Sequence, residues 1–236
     1  MPSTLPPLDD GSGPSRDPRG GSRRDRRLRW LVVPAIVLIA IILVRAFLIS
    51  PYAIPTGSME PTLQVGDRIL VSRLASPQDL ERGDVIVFDA SAAFHLDEGT
   101  PGLLRRVMDT VGSVVGEGAD TDYVKRLIGL PGDRVRCCAV HGRITVNGAA
   151  VDEPYLYPGD APSTTTFDVT LPADRYWVMG DHRSVSADSR SHLGAPGGGM
   201  IPGEDVIGQV WVRYWPPDRV GTLTPVPLSA IPRNGQ

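Results

Sequence analysis

Asp122-Tyr123-Val124-Lys125-Arg126-Leu127-Ile128-Gly129-Leu130, closed by Pro131-Gly132-Asp133, sets the pattern for most of the chain. A short apolar run that stops at a proline-glycine pair reads as one β-strand followed by a turn. The same Gly-Asp punctuation stands at 66, 83, 132, 159 and 180. Short runs rich in Val, Ile, Leu and aromatic residues lie among these marks. They are predicted as strands over Asp67–Ser72, Asp84–Phe88, Tyr123–Leu130, Arg134–Val140, Arg143–Val146, Thr166–Thr170, Tyr176–Met179 and Val206–Tyr214. No internal repeat is visible. Strands without alternating helices argue against a doubly wound sheet and for a mainly β domain with an antiparallel, barrel-like or coiled sheet.

Within the opening stretch Lys125 is conspicuous, because the chain has 24 Lys plus Arg and 23 of them are Arg. Arginine stays protonated at physiological pH, whereas a buried amine gives up its proton readily, so lysine is the one of the two that serves as a general base. In a strand Lys125 shares a face with Tyr123 and Leu127, where an amine is desolvated. A nucleophile for such a base stands upstream, in Ile54-Pro55-Thr56-Gly57-Ser58-Met59-Glu60-Pro61-Thr62-Leu63. Pro55 fixes one φ angle, Gly57 permits close approach of the backbone, and Pro61 prevents a regular helix, so Ser58 is held in a constrained turn. Alone, this is also an ordinary surface turn. The pairing with a base decides between the two.

These two segments, with Gly66-Asp67-Arg68-Ile69-Leu70-Val71 and the run from Gly180 through Asp181, His182, Arg183, Ser184, Val185, Ser186, Ala187, Asp188 and Ser189 to Arg190, resemble the boxes of type I (leader) signal peptidases. Order and spacing also match, over the anchor described below and most of the chain from Pro51 to Trp215. The resemblance implies a membrane-anchored Ser/Lys-dyad serine endopeptidase, without metal or cofactor, that removes signal peptides from exported preproteins. It makes Ser58 the nucleophile and Lys125 the general base, with Thr56 helping the Ser58 backbone N–H form an oxyanion hole. It gives Ser186 the part of orienting the lysine amine, and Asp188 and Arg190 that of a supporting ion pair. It further implies a substrate extended beside a strand near Ser58, with small residues, typically Ala, first and third before the cut. His182 and Val185 stand where many relatives carry Asn.

Toward the N-terminus, residues 1–29 are rich in Pro, Gly, Ser and Arg, a composition expected to form a disordered tail. Residues 30–50 follow as an apolar segment of about the 20 residues that span a bilayer core of roughly 30 Å. Pro34 falls in its first turn and Arg45 near its far end, from which it can snorkel. No Ala-x-Ala site follows, so the segment is expected to remain attached as a single transmembrane helix. Seven Arg and four Asp precede it, with Arg23, Arg24, Arg26, Arg27 and Arg29 beside it. The positive-inside rule then keeps the N-terminus cytoplasmic and places residues 51–236 outside as the catalytic domain. Ser58 is nine residues beyond Ile49, within about 30 Å of the anchor even when extended.

Beyond residue 29 the chain has 17 positive and 23 negative residues, a net charge of −6, which offers no basic footprint for nucleic acid. Expected partners are signal peptides of preproteins and the lipid bilayer. Residues 90–121 change pattern, with Leu103, Leu104, Val107, Met108, Val111, Val114 and Val115 near helical spacing, as in an insertion carrying an amphipathic helix. Packing of that helix on the domain body and on the membrane surface are both open. Cys137 and Cys138 are adjacent; an oxidising exterior permits a disulfide, but a strand points the two side chains to opposite faces, so a vicinal bond would be strained, and a metal site with His141 lacks the usual ligand spacing, which leaves their redox state open.

Rival chemistries fit less well. His182 with Asp181 or Asp188 would make a Ser-His-Asp set, but Ser58 lacks the Gly-x-Ser-x-Gly elbow. Ser-x-x-Lys enzymes are excluded because Pro61 stands three residues after Ser58. A self-cleaving repressor would be soluble and carry a DNA-binding domain. A membrane-anchored binding protein on an inactive protease fold would not need Ser58, Lys125, Thr56 and Ser186 together.

Overall fold

The computed structural model describes residues 30, 32–38, 48–74, 76–91, 93–94, 121–139 and 142–223. The chain divides into two units, Met1–Ile42 and Leu43–Gln236. In the first, residues 30 and 32–38 are helical, and every side chain from 32 to 38 is exposed. Among the described residues no helix is long and apolar enough to cross a membrane. The readings for 1–29, for the rest of the apolar helix up to 47, for the helix expected within 90–121 and for His141 lie outside the described residues.

The second unit has twelve strands among its described residues: β1 (Ile49–Ala53), β2 (Arg68–Ser72), β3 (Val85–Asp89), β4 (Asp122–Gly129), β5 (Arg134–Cys137), β6 (Thr145–Val146), β7 (Ala149–Ala150), β8 (Phe167–Thr170), β9 (Arg175–Met179), β10 (Ile201–Pro202), β11 (Val206–Trp215) and β12 (Gly221–Thr222). The larger sheet runs β1-β2-β11-β3-β4-β9-β10 with β12 on β11, and the smaller runs β7-β6-β5-β8. All pairings are antiparallel, as the absence of alternating helices led one to expect. β4, the strand that carries Lys125, lies inside the larger sheet, with Ile86 opposite Lys125 on one side and Met179 opposite Arg126 on the other.

Three of the Gly-Asp marks, at 66, 83 and 132, have a shared physical cause. At Leu130-Pro131-Gly132-Asp133, Gly132 takes φ +85°, the positive angle required at the third position of a type II turn, and Pro131 supplies the second. Asp133 then closes the turn twice, its N–H donating to Leu130 O at 2.9 Å and its carboxylate accepting from Leu130 N at 2.8 Å. Asp67 and Asp84 repeat the carboxylate bond, accepting from Gln64 N and Glu81 N at 2.8 Å each. The chain thus reverses where its sequence supplies both the angle and the acceptor.

Packing gathers into three apolar clusters. One, around Trp177, Ile128, Val135, Val146 and Phe167, joins the small sheet to the large one. A second surrounds Ile86, Phe88, Leu127 and Val178. The third, made by Tyr52, Ile54, Met59, Leu63, Ile69, Val71 and Val87, holds both ends of the serine turn.

Several boundaries differ from the expectation. Ile49 and Ser50, read as the end of the apolar helix, belong to β1 and pair with Ser72 and Val71. The strand expected to reach Val140 stops at Cys137, and the one expected from Arg143 begins at Thr145. β7, β10 and β12 are two residues each, too short for alternation to register. Cys137 and Cys138 are joined to each other in a vicinal disulfide.

Candidate active site

Ser58 sits in a single 3-10 turn, Gly57–Met59, that follows an extended Thr56. Burial of Ile54, Met59 and Leu63 anchors the turn from both sides, so the hydroxyl is held by core packing and not by the loop alone. The backbone of the last predicted box completes the hold: His182 N donates to Ser58 O at 3.1 Å.

Lys125 reaches the serine from β4. Its Nζ lies 2.8 Å from Ser58 Oγ and 3.0 Å from Val124 O, and 5.3 Å from the Tyr123 ring centroid. The side chain is only 4% exposed. Burial lowers the amine pKa from 10.5 to about 8, against the opposing pull of the Asp188 and Asp181 carboxylates. An amine near pH 8 exists in useful amounts in both protonation states around neutrality, as general-base work requires. Thr56 is exposed, and its hydroxyl lies 3.4 Å from Ser58 Oγ.

The other expected residues come to the same place with one difference. Asp188 and Arg190 form a buried two-pronged ion pair, Nε to Oδ1 at 2.9 Å and Nη2 to Oδ2 at 2.7 Å. Burial alone would raise the Asp188 pKa, but the bonds and charge of Arg190 outweigh it and hold the carboxyl below its usual range. Asp188 also accepts from Gly180 N at 3.0 Å. Gly180 is where the box meets the serine turn: a Cβ there would fall 2.3 Å from Ser186 Oγ and 2.5 Å from Ser58 O. Only glycine fits. Ser186 is buried beside it, but its Oγ is not bonded to the Lys125 amine, which is bonded to Ser58 and Val124 instead.

Sequence reasoning missed a second buried layer. Arg126, adjacent to Lys125 and pointing the other way as strand geometry demands, grips Asp181 through Nε at 2.7 Å and Nη2 at 2.6 Å. It also donates to Gly83 O at 2.7 Å and lies over the Tyr155 ring at 4.1 Å. Thr62, at the end of the serine turn, donates to Asp181 at 2.5 Å. The Lys125 strand, the last box and the Ser58 turn are therefore tied together by one arginine. Both Asp181 and Asp188 are thereby committed to arginines, and neither is hydrogen-bonded to His182, whose ring stacks on Tyr157. The parts of a Ser-His-Asp relay are not assembled.

Metal chemistry has no cradle among the described residues, where no three His, Cys, Asp or Glu side chains converge. A cavity of about 320 Å³, lined in part by Thr62, Asp84, Arg126 and Arg213, includes neither Ser58 nor Lys125.

Residues 27–215 match the family model described as signal peptidase, peptidase S26. The chain belongs to this family. It is 34% identical to a probable signal peptidase I-2 of Synechocystis, over 83% of this chain and 78% of that one. It is 35% identical to signal peptidase I of Mycobacterium tuberculosis, over 92% of this chain and 82% of that one. With signal peptidase IB of Staphylococcus aureus it shares 30% identity, over 80% of this chain and 90% of that one. The signal peptidase I family is one of serine endopeptidases, and the match to the S26 family spans the serine turn, the lysine strand and the last box alike.

Proposed function

We propose that this S26 peptidase removes N-terminal signal peptides from exported preproteins, with Ser58 as nucleophile and Lys125 as general base. The observation that carries the reading is the 2.8 Å approach of a buried, pKa-lowered amine to a buried serine hydroxyl. In its neutral form the amine takes the Ser58 proton as Oγ attacks the scissile carbonyl. The carbonyl oxygen becomes an oxyanion, received by Ser58 N–H and the Thr56 hydroxyl. The ammonium returns the proton to the leaving amine, giving an ester on Ser58. Water, deprotonated by the same lysine, then attacks that ester; the acyl–Oγ bond breaks as the ammonium returns the proton to Ser58 Oγ, and the signal peptide leaves with a new C-terminal carboxylate.

Supporting roles follow from the packing. Ser186, buried beside Gly180, limits where the amine can move. Asp188 and Arg190 fix the Gly180 backbone, and through it the spacing between Ser186 and Ser58. The substrate lies extended beside a strand near Ser58 and presents small residues first and third before the cut.

The same reading places residues 30–50 in the cell membrane as one helix, shortened by the two residues that β1 takes, with the N-terminus cytoplasmic and the catalytic unit outside. Exposure of the apolar side chains Val32, Val33, Ile36, Val37 and Leu38 supports this, because a helix apolar all round is at home in lipid. The arginines preceding it support the orientation. Ser58 then works close to the bilayer, where the bond just beyond a membrane-inserted signal peptide would be presented.

The test is mass spectrometry of a preprotein incubated with the full chain in detergent. Cleavage a few residues beyond the apolar segment, after a small residue, is expected, and Ser58→Ala should abolish it. Unchanged cleavage by folded Ser58→Ala would refute the assignment.

A further inference from the structure

The His182 imidazole takes no part in the proton transfers above, yet it lies against the serine turn. Its Nδ1 is 3.3 Å from Gly57 O. Its ring is stacked on Tyr157, with centroids 3.8 Å apart and planes 9° from parallel. Tyr157 is itself pinned, its N–H donating to Asp181 O at 3.0 Å, and the nearby Asp160 carboxylate accepts from Ser184 N at 3.1 Å. A carbonyl oxygen only accepts, so Nδ1 carries the proton in this contact, in the neutral ring and in the imidazolium alike.

The Gly57–Ser58 peptide is planar and trans, so Gly57 C=O and Ser58 N–H point in opposite directions. Whatever fixes one aims the other. Gly57 O accepts from Glu60 N at 3.1 Å within the turn, and from His182 Nδ1 as the tie from outside it. Donation to a peptide carbonyl also polarises that peptide and strengthens its N–H as a donor.

We propose that His182 is a positioning residue for the oxyanion hole: its Nδ1–H, clamped by Tyr157, sets the Gly57–Ser58 peptide plane so that Ser58 N–H faces the developing oxyanion. This rests on the Ser58–Lys125 reading.

The test uses the full chain in detergent and a purified preprotein, with wild type and Lys125→Arg run alongside. His182→Phe keeps the stacking and removes the donor, whereas His182→Asn keeps an N–H at the same branch position. Loss of one neutral hydrogen bond that matters in the transition state should lower kcat of His182→Phe about tenfold at unchanged KM. The same variant should bind a peptide boronate, which forms a tetrahedral adduct on Ser58, about tenfold more weakly. His182→Asn should stay within about threefold of wild type on both measures. Tyr157→Leu, which frees the ring but keeps the donor, should fall between the two, and it carries the test if His182→Phe melts early. Wild-type kcat in His182→Phe, equal losses in the Phe and Asn variants, or a change in KM alone would each overturn the proposal. An inactive wild type or an active Lys125→Arg would instead bring down the Ser58–Lys125 reading and this inference with it.

Discussion

Titration of Lys125 should be visible in stability as well as in turnover, and the two readouts constrain each other. Burial lowers this amine to about 8 from 10.5. Between those values the unfolded chain holds the proton and the folded one does not, so unfolding takes up a proton and stability rises with pH across that window. A lowering of this size corresponds to about 3 kcal/mol, absent below pH 8 and gained in full only near pH 10.5. Tyr52 acts in the opposite sense: burial, with the Asp122 charge, raises it to about 12, so its contribution is present below pH 10 and lost as pH rises toward 12. The assay is therefore a difference. Urea unfolding of wild type and Lys125→Met is compared from pH 7 to 10, where Tyr52 is silent and cancels. Wild type should gain on the variant by an amount approaching 3 kcal/mol. Cleavage by the wild type should track the neutral amine, with about one tenth of the limiting kcat/KM at pH 7 and one hundredth at pH 6. Parallel stability curves for the two proteins, or flat activity from pH 6 to 8, would refute a buried amine as the base.

Three substitutions probe the rest of the site. Thr56→Val keeps the side-chain shape and removes the donor, so kcat should fall about 10²-fold with little change in KM; steady-state kinetics on a preprotein decides it. Gly180→Ala places a Cβ 2.3 Å from Ser186 Oγ and 2.5 Å from Ser58 O, so it should destabilise by about 1–3 kcal/mol and displace the nucleophile. Thermal melting with a Ser58-directed active-site label reads both effects. Asp181→Ala leaves the Arg126 guanidinium buried without its carboxylate, which should cost about 3–5 kcal/mol in denaturant unfolding.

The strands were legible as short apolar runs among turn residues, and at 66, 83 and 132 the turn chemistry is local: angle from glycine, acceptor from aspartate. β1 was not legible, since Ile49 and Ser50 continue an apolar segment, and only pairing with β2 makes them strand. Ser58 and Lys125 stood out for residue type, a serine in a constrained turn and the chain's one lysine. Arg126 and Asp181 did not. One is an arginine among 23 and the other sits in a Gly-Asp mark like four more, so neither carries a local signal of the ion pair. Their partnership spans 55 residues and depends on how β4 meets the last box. The part expected of Ser186 was inferred from its place in that box, whereas the Lys125 amine is hydrogen-bonded to Ser58 and Val124. Likewise His182 looked like a local departure until the fold set it between Tyr157 and Gly57.

The central claim is that a neutral lysine takes the serine proton, and cleavage by Lys125→Arg tests it most directly. A guanidinium keeps the charge and approximate reach but cannot surrender its proton near neutrality. The variant should be purified in detergent, matched to wild type by circular dichroism, and assayed on a preprotein from pH 7 to 9. The expected result is no cleavage at any pH in that range. Turnover near the wild-type rate would contradict the claim and make some other group the base.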